Sequence, residues 1–485
     1  MDCLRGPDPW VRMMSVEAVL CSDRGLIVAP AGCGKTHLIT ETLKIAQDKP
    51  YLVLTHTTAG VAALKQRLKR LRVPNKHYVV ATIDGWARRI SMMFPMSCGI
   101  AASPDDPKTF YPELRNKVNT YIDSESITDA IQASYSRLLV DEYQDCNADQ
   151  HRLVCVLANL LPTVVFGDPM QCIFNFGGPM PSWRDDIQTK FPVICELNTP
   201  WRWINAGTPE LGQWILGVRN LLMSGAPIDS LSCPEYVHWH QLSGDYRTDS
   251  QNQLKAHYQL RNSSDEADSL LVIGDQFKAD RRHDFASMSQ GLDVVEPVEL
   301  TGVTTLASQI DESSGVNLAE CILDAVATMM TGVGKAALMK RVPTILAGRN
   351  RSPVTHIESA VILVVTQGDT SSIVNLLDCL ELGPETKIFR RSAFSALKSA
   401  VSLCASDPSK SMRQAAEIIR EQRRHQGDRR IPSRAIGSTL LLKGLEADHA
   451  FILDAGAMNR QHLYVAISRG AKSITLFSGC NVVGQ

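Results

Sequence analysis

A glycine-rich turn that ends in a lysine and a hydroxyl residue can hold a phosphate chain, and residues 25–40 read GLIVAPAGCGKTHLIT. Gly34, Lys35 and Thr36 complete the P-loop pattern, with Ala29 at the position of its first glycine. In such a loop several backbone N–H groups and a helix dipole converge on an anion. Ala29, Pro30, Ala31, Gly32, Cys33 and Gly34 would then line the phosphates of a nucleotide, Lys35 would reach the β/γ-phosphates, and Thr36 would sit on Mg²⁺. A second stretch, RLLVDEYQD, places Asp141 and Glu142 directly after an apolar run. Two adjacent acids there are costly without a cation. Asp141 would hold the metal through water, and Glu142 would take a proton from an attacking water. Further on, TVVFGDPMQCIFNFGG supplies Gln171, able to bridge water and γ-phosphate, and LNTPWRW sets Arg202 between Trp201 and Trp203. KGLE supplies Lys443 and Glu446, and LYVAISRGAK supplies Arg469. Two arginines from a second sheet are what phosphoryl transfer between two domains needs as charge stabilisers.

These residues need strands to carry them. Apolar runs at 26–29, 51–54, 137–140 and 163–166 alternate with helical patterns, and a second set lies at 360–365, 449–453 and 473–477. Strand–helix alternation implies parallel sheets, whose ligands sit on loops after the strand C-termini. The Pro-rich segment 86–130 reads as an insertion, and 204–355 reads as several helices without assignable chemistry. TGVGKAAL (331–338) is no second P-loop, because Ala336 lacks the metal-binding hydroxyl and a helical pattern precedes it. SMMFPM (91–96) reads as core filling, Trp203 as packing, and Cys33 as a small loop residue without a redox role. The basic run 420–434 suits either phosphate contact or a solvated helix end.

Composition sets the limits. With 485 residues the chain is long enough for two or more domains. Its formal net charge of −1 announces no nucleic-acid partner, so any such surface must be local. Thirteen scattered cysteines without a C-x-x-C pair imply reduced thiols and a cytoplasmic setting. Neither end carries a signal pattern, and no apolar run is long enough for a bilayer.

In order and content the motifs resemble those of superfamily 1 DNA helicases of the UvrD/Rep type, over roughly 24–90, 136–203 and 434–478. APAGCGKT is similar to their first motif, including the alanine. DEYQD and GDPMQCIFNFGG are similar to the second and third, Arg202 to the fourth-motif arginine, KGLE to the fifth, and Arg469 to the sixth-motif arginine. The resemblance implies an α/β fold of two RecA-like parallel-sheet domains with ATP at their interface and small inserted regions. The implied division is residues 1–195, with an insertion near 86–130, and residues 196–485, with an accessory region near 230–355. It implies ATP and Mg²⁺ as cofactors. Ala29 to Thr36, Trp201, Arg202, Glu446 and Arg469 would hold the nucleotide, and Thr36 and Asp141 the metal. Lys35, Glu142, Gln171, Arg202 and Arg469 would be catalytic. His56, Thr57, Thr58, Phe174, Phe176 and Lys443 would contact single-stranded or tailed DNA.

The departures fall on one side. Relatives carry a glutamine before the P-loop that reads adenine; the first Gln here is Gln47, and Ser15 falls near the expected place. Trp201 stands for the base-stacking tyrosine. At DNA positions His56 replaces an aromatic, Thr58 an Asn, Phe176 a Trp, Gly177 an Arg and Leu440 a His. The hydrolysis set is complete, and the DNA track is altered. Short chains of this style also resemble the helicase-like subunit of Gabija anti-phage systems, which are encoded beside an OLD-family nuclease. The expectation is an ATP-dependent DNA translocase or helicase in repair or anti-phage defence. The alternative is a nucleotide-gated regulatory subunit that controls a partner nuclease.

Overall fold

The computed structural model describes residues 9–104, 106–174, 178–289, 291–297, 301–426 and 432–484. Six strands form the first sheet: β1 (Arg24–Val28), β2 (Tyr51–Thr55), β3 (Tyr78–Thr82), β4 (Arg137–Val140), β5 (Thr163–Gly167) and β6 (Val193–Glu196). Their order is β3-β2-β4-β5-β1-β6, with every pair parallel. A parallel sheet is covered on both faces, which is why its strands read as unbroken apolar runs. Leu26, Val28, Leu52, Leu54, Leu138 and Val140 enter one core. Ile27, Tyr51, Val53, Leu139, Val164 and Phe166 enter the core on the other face. The register pairs Val28 with Gly167 and Val140 with Val165, so the loops after β1, β5 and β4 leave the same edge side by side.

Two compact units divide the chain: Met1–His238 with Met458–Ser473 and Asn481–Gln485, and Trp239–Ala457 with Ile474–Cys480. Residues 196–238, with Trp201 and Arg202, and residues 458–473, with Arg469, therefore fall in the first unit, where the sequence suggested a break after 195. The segment 86–130 is helical (Ile83–Met93, Pro95–Cys98, Pro107–Asp123 and Thr128–Ser134 cover most of it). Trp86, Leu114, Val118 and Ile122 pack into the first sheet's core, so this segment is part of its cover. The methionines of 91–96 are a correction. Met92, Met93 and Met96 are 70%, 58% and 94% exposed, because the first helix turns Trp86, Ala87 and Ile90 inward instead. Trp203 is fully buried.

In the second sheet, β7 (Val237–Gln241), β8 (Leu270–Ile273), β9 (Asp293–Val294), β10 (Arg434–Gly437), β11 (Ala447–Ile452) and β12 (Gly470–Ser478) stand in the order β9-β10-β8-β11-β12-β7. The pairs β9–β10, β10–β8 and β8–β11 are parallel. Runs at 449–453 and 473–477 are strands as expected, but 360–365 is not. It lies in the helix His356–Thr366, where Thr355 and Glu358 form a capping box and Ala360, Val361 and Val364 face the core. A short β-branched run fits a buried strand or a buried helix equally well by periodicity, and here the cap decides. Part of the region expected to be accessory, 230–355, instead supplies β7, β8 and β9. Helices between Thr301 and Gln426 share a core of Leu318, Ile322, Val361, Leu376, Leu397 and Val401. Arg390 and Arg391 tie that core to the strand β9 region, through Glu296 at 2.5 Å and Asp293 at 2.9 Å. Lys335 of TGVGKAAL is committed to Asp324 (2.6 Å) and Glu320 (3.0 Å). No described helix is long and apolar enough to cross a membrane.

Candidate nucleotide site

The loop between β1 and the helix Lys35–Lys44 is shaped by two glycines. Gly32 and Gly34 take φ of +71° and +93°, a region that costs other residues roughly 1–2 kcal/mol. A Cβ on Gly32 would also lie 2.6 Å from the Trp203 ring and 2.9 Å from the Arg202 Cβ. The loop is held from both ends: Ala29 N donates to Gly167 O (2.9 Å) and Arg202 N donates to Gly32 O (3.1 Å). Ala31 N donates to the Tyr464 hydroxyl at 3.0 Å. Among the described residues no side chain caps the helix at Gly34, so the donors of its first turn keep their capacity for an anion. The buried thiol of Cys33 is pushed up to about 12 by desolvation and Asp168, which leaves it an inert filler at neutral pH.

Lys35 ion-pairs with Asp141 at 3.2 Å and Glu142 at 2.5 Å. Burial alone would lower the lysine pKa, but the two carboxylates overcome it and hold the ammonium above its usual value. Asp141 is fixed by its N–H on Leu54 O (2.8 Å) and by accepting Glu142 N at 2.9 Å. Glu142 is in the left-handed region, φ +55°, so backbone strain is stored at this carboxylate. Two amides continue the network. Gln144 donates to Glu142 at 2.5 Å and accepts Asp168 N at 3.2 Å, and Gln171 donates to the Asp168 carboxylate at 3.1 Å.

The arginines meet over one serine. Arg202 donates to Ser468 O and stacks at 5.4 Å on the Trp203 ring, while Arg469 donates to Ser468 Oγ (3.0 Å) and Val465 O (2.8 Å). Beside the loop, Trp201 lines a cavity of about 130 Å³ with Ser15, His37, Glu41, Cys195 and Asn198. Thus Lys35 touches Asp141 and Glu142, Glu142 reaches Gln171 through Gln144 and Asp168, and Arg202 and Arg469 meet at Ser468, all within the first unit. Lys443 and Glu446 lie on the turn between β10 and β11 in the second unit. Of the DNA candidates, His56 and Phe174 rings approach to 5.8 Å, and exposed Thr57 caps the helix beginning at Thr58. Phe176 and Gly177 lie outside the described residues.

A donor-rich loop, an ammonium and a carboxylate pair fit a nucleoside triphosphate with a divalent cation, and Thr36 and Asp141 are the residues that could hold the cation. Four members of the network escaped sequence reasoning: Gln144, Asp168, Arg219, which ion-pairs with Asp168 at 2.9 Å, and Tyr464. The signal for Arg219 is a cation inside the otherwise apolar stripe Leu211, Ile215, Val218 and Leu222.

Residues 111–192 match the family described as UvrD/REP helicase N-terminal domain. The matched segment contains Asp141, Glu142, Asp168 and Gln171, so the sequence resemblance to UvrD/Rep helicases holds there. Two solved structures are similar to part of the chain. One is the arterivirus nonstructural protein 10 (helicase) in complex with DNA, 10% identical, with 54% of this chain and 49% of that chain covered and a TM-score of 0.27. The other is the Pif1 helicase from Candida albicans, 13% identical, with 52% and 55% covered and a TM-score of 0.29. The chain spans about half the length of each of these neighbours. No curated protein matches the chain in sequence.

Proposed function

We propose that this protein is an ATP-hydrolysing translocase of the UvrD/Rep helicase type that acts on single-stranded or tailed DNA. The observation that carries this reading is the joined set Lys35, Asp141, Glu142, Gln144, Asp168 and Gln171 at the edge of the first sheet. Lys35 exchanges its carboxylate partners for the phosphates, which frees Glu142 to accept a proton from the attacking water. Gln171 orients that water, and Arg202 and Arg469 neutralise charge that grows on the transferred group. Trp201 offers its ring to the base. Mg²⁺, when bound, screens phosphate charge from a position set by Thr36 and Asp141. Glu446 is proposed to contribute to the nucleotide site, and Lys443, His56, Thr57, Thr58, Phe174 and Phe176 to the DNA track. DNA repair or anti-phage defence in the cytoplasm would suit such an activity.

A second reading has one observation in its favour. The side chain of Leu440, on the turn after β10, offers no hydrogen bond where the resembled family places a histidine. A chain with that weakened track could act mainly as a nucleotide-gated subunit that controls a nuclease of the OLD family. ATPase assays on the wild type and Lys35→Ala, with and without a single-stranded oligonucleotide, test the first reading. Hydrolysis lost in Lys35→Ala supports it, and equal rates in both proteins contradict it.

A further inference from the structure

Asp168 follows β5 at the sheet edge and is completely buried, so its charge needs a partner in the protein. That partner comes from the helix Pro209–Ser224: Arg219 brings Nε to 3.0 Å and Nη2 to 2.9 Å of the same oxygen, Oδ1. Met170 N donates to Oδ1 as well, at 3.2 Å. The other oxygen, Oδ2, receives the Gln171 amide at 3.1 Å. The two oxygens thus have separate tasks.

We propose that Arg219 is a positioning residue for hydrolysis, acting on Gln171 through Asp168; this rests on the nucleotide-site reading above. A carboxylate only accepts hydrogen bonds, so the nitrogen of the Gln171 amide must face Asp168 and its carbonyl oxygen must face away. That oxygen is the acceptor needed to orient an attacking water. Asp168 fixes which way the amide points, and the paired donors of Arg219 fix Asp168. A single-donor cation would hold that oxygen by one contact instead of two. The same residue reaches Glu142, since Asp168 N holds Gln144 Oε1 and thereby turns the Gln144 nitrogen toward the Glu142 carboxylate. Arg219 therefore sits behind the water-orienting amide without touching it, while the branch to the proton acceptor hangs on the Asp168 backbone. Its helix is anchored at the C-terminal end, where Arg460 donates to Gly225 O at 3.0 Å. Arg460 and Tyr464 share the helix Arg460–Ile467, and Tyr464 accepts the Ala31 N–H of the P-loop.

The test is a double-mutant cycle on kcat for ATP in the full chain, with Arg219→Gln, Gln171→Ala and both together, read beside ATP affinity by calorimetry and Tm. Arg219→Gln is expected to lower kcat by about a hundredfold, the scale of a catalytic group displaced by an ångström, with ATP affinity nearly unchanged. In the Gln171→Ala background the same substitution is expected to cost much less, because the amide it positions is gone. Arg219→Lys keeps the buried charge paired and serves if Arg219→Gln does not fold; partial rescue of kcat is expected from it. Losses that multiply independently, or normal kcat with a lowered Tm, would overturn the proposal and leave Arg219 a structural ion pair. If the wild type hydrolyses no ATP, the nucleotide-site reading itself fails and this inference fails with it.

Discussion

Replacing Glu142 with glutamine keeps the side chain's shape and removes its ability to take a proton. Removal of a general base costs about 10²–10⁴ in rate, which is about 3–5 kcal/mol of barrier. Folding should change far less. Glu142 is 32% exposed on its side chain, so the lost ion pair to Lys35 contributes at most about 1 kcal/mol after solvent screening. Lys35 keeps Asp141 at 3.2 Å, and a glutamine carbonyl can still accept from Gln144. The strained backbone at φ +55° is common to both residues. The expected pattern is therefore turnover lost, ATP affinity retained and Tm shifted by a few degrees at most. Single-turnover phosphate release, calorimetric ATP binding and thermal unfolding measure the three quantities on one preparation. Near-normal phosphate release from a folded Glu142→Gln protein would refute the assignment, and parallel loss of ATP binding would move Glu142 from chemistry to binding.

Base selectivity should be weak: with Trp201 stacking and no upstream glutamine, kcat/KM for ATP and GTP should agree within about tenfold, roughly 1.4 kcal/mol. Trp201→Ala should raise KM for both nucleotides, and strong rejection of GTP in a competition assay would mean a dedicated adenine reader. Acid should destabilise the second unit through His257, packed 5.8 Å from Phe285 and 6.0 Å from Phe451, whose pKa burial, Arg434 and Arg261 depress to about 4. The folded pKa lies below the unfolded value of about 6.5, so stability is present above 6.5 and falls between about 6.5 and 4, by about 3 kcal/mol. His257→Phe should flatten that slope in pH-dependent urea unfolding, and an unchanged slope would exclude His257 as its source. The isolated chain should displace strands poorly, because Gly177 and Leu440 cannot grip a strand as Arg and His would. Efficient unwinding of a long tailed duplex under single-turnover conditions would contradict that expectation.

The sequence made the first sheet legible where both faces are buried: β1, β2, β4 and β5 are short runs with little polar interruption. It hid β6, whose ends Val193 and Glu196 are exposed at the sheet edge, and it turned 360–365 into a strand because β-branched residues fill a capped helix. The P-loop and the Asp141–Glu142 pair were legible because each is a local pattern fixed by backbone geometry. Asp168 lay inside a quoted motif, but its importance depends on Arg219, 51 residues away. Tyr464 supports the P-loop across 433 residues, and within LYVAI it has the look of an ordinary core aromatic. Partnerships of this kind are set by which loops share a sheet edge, and strand order is not written in any local stretch.

The central claim is that the Lys35, Glu142 and Gln171 constellation hydrolyses ATP in response to DNA. Steady-state ATPase measured on the purified chain across a titration of single-stranded oligonucleotide tests it most directly. The account predicts Mg²⁺-dependent hydrolysis that rises with DNA and disappears in Lys35→Ala. A folded wild-type protein that hydrolyses no ATP at any DNA concentration, or one whose rate ignores both DNA and Lys35, would contradict it.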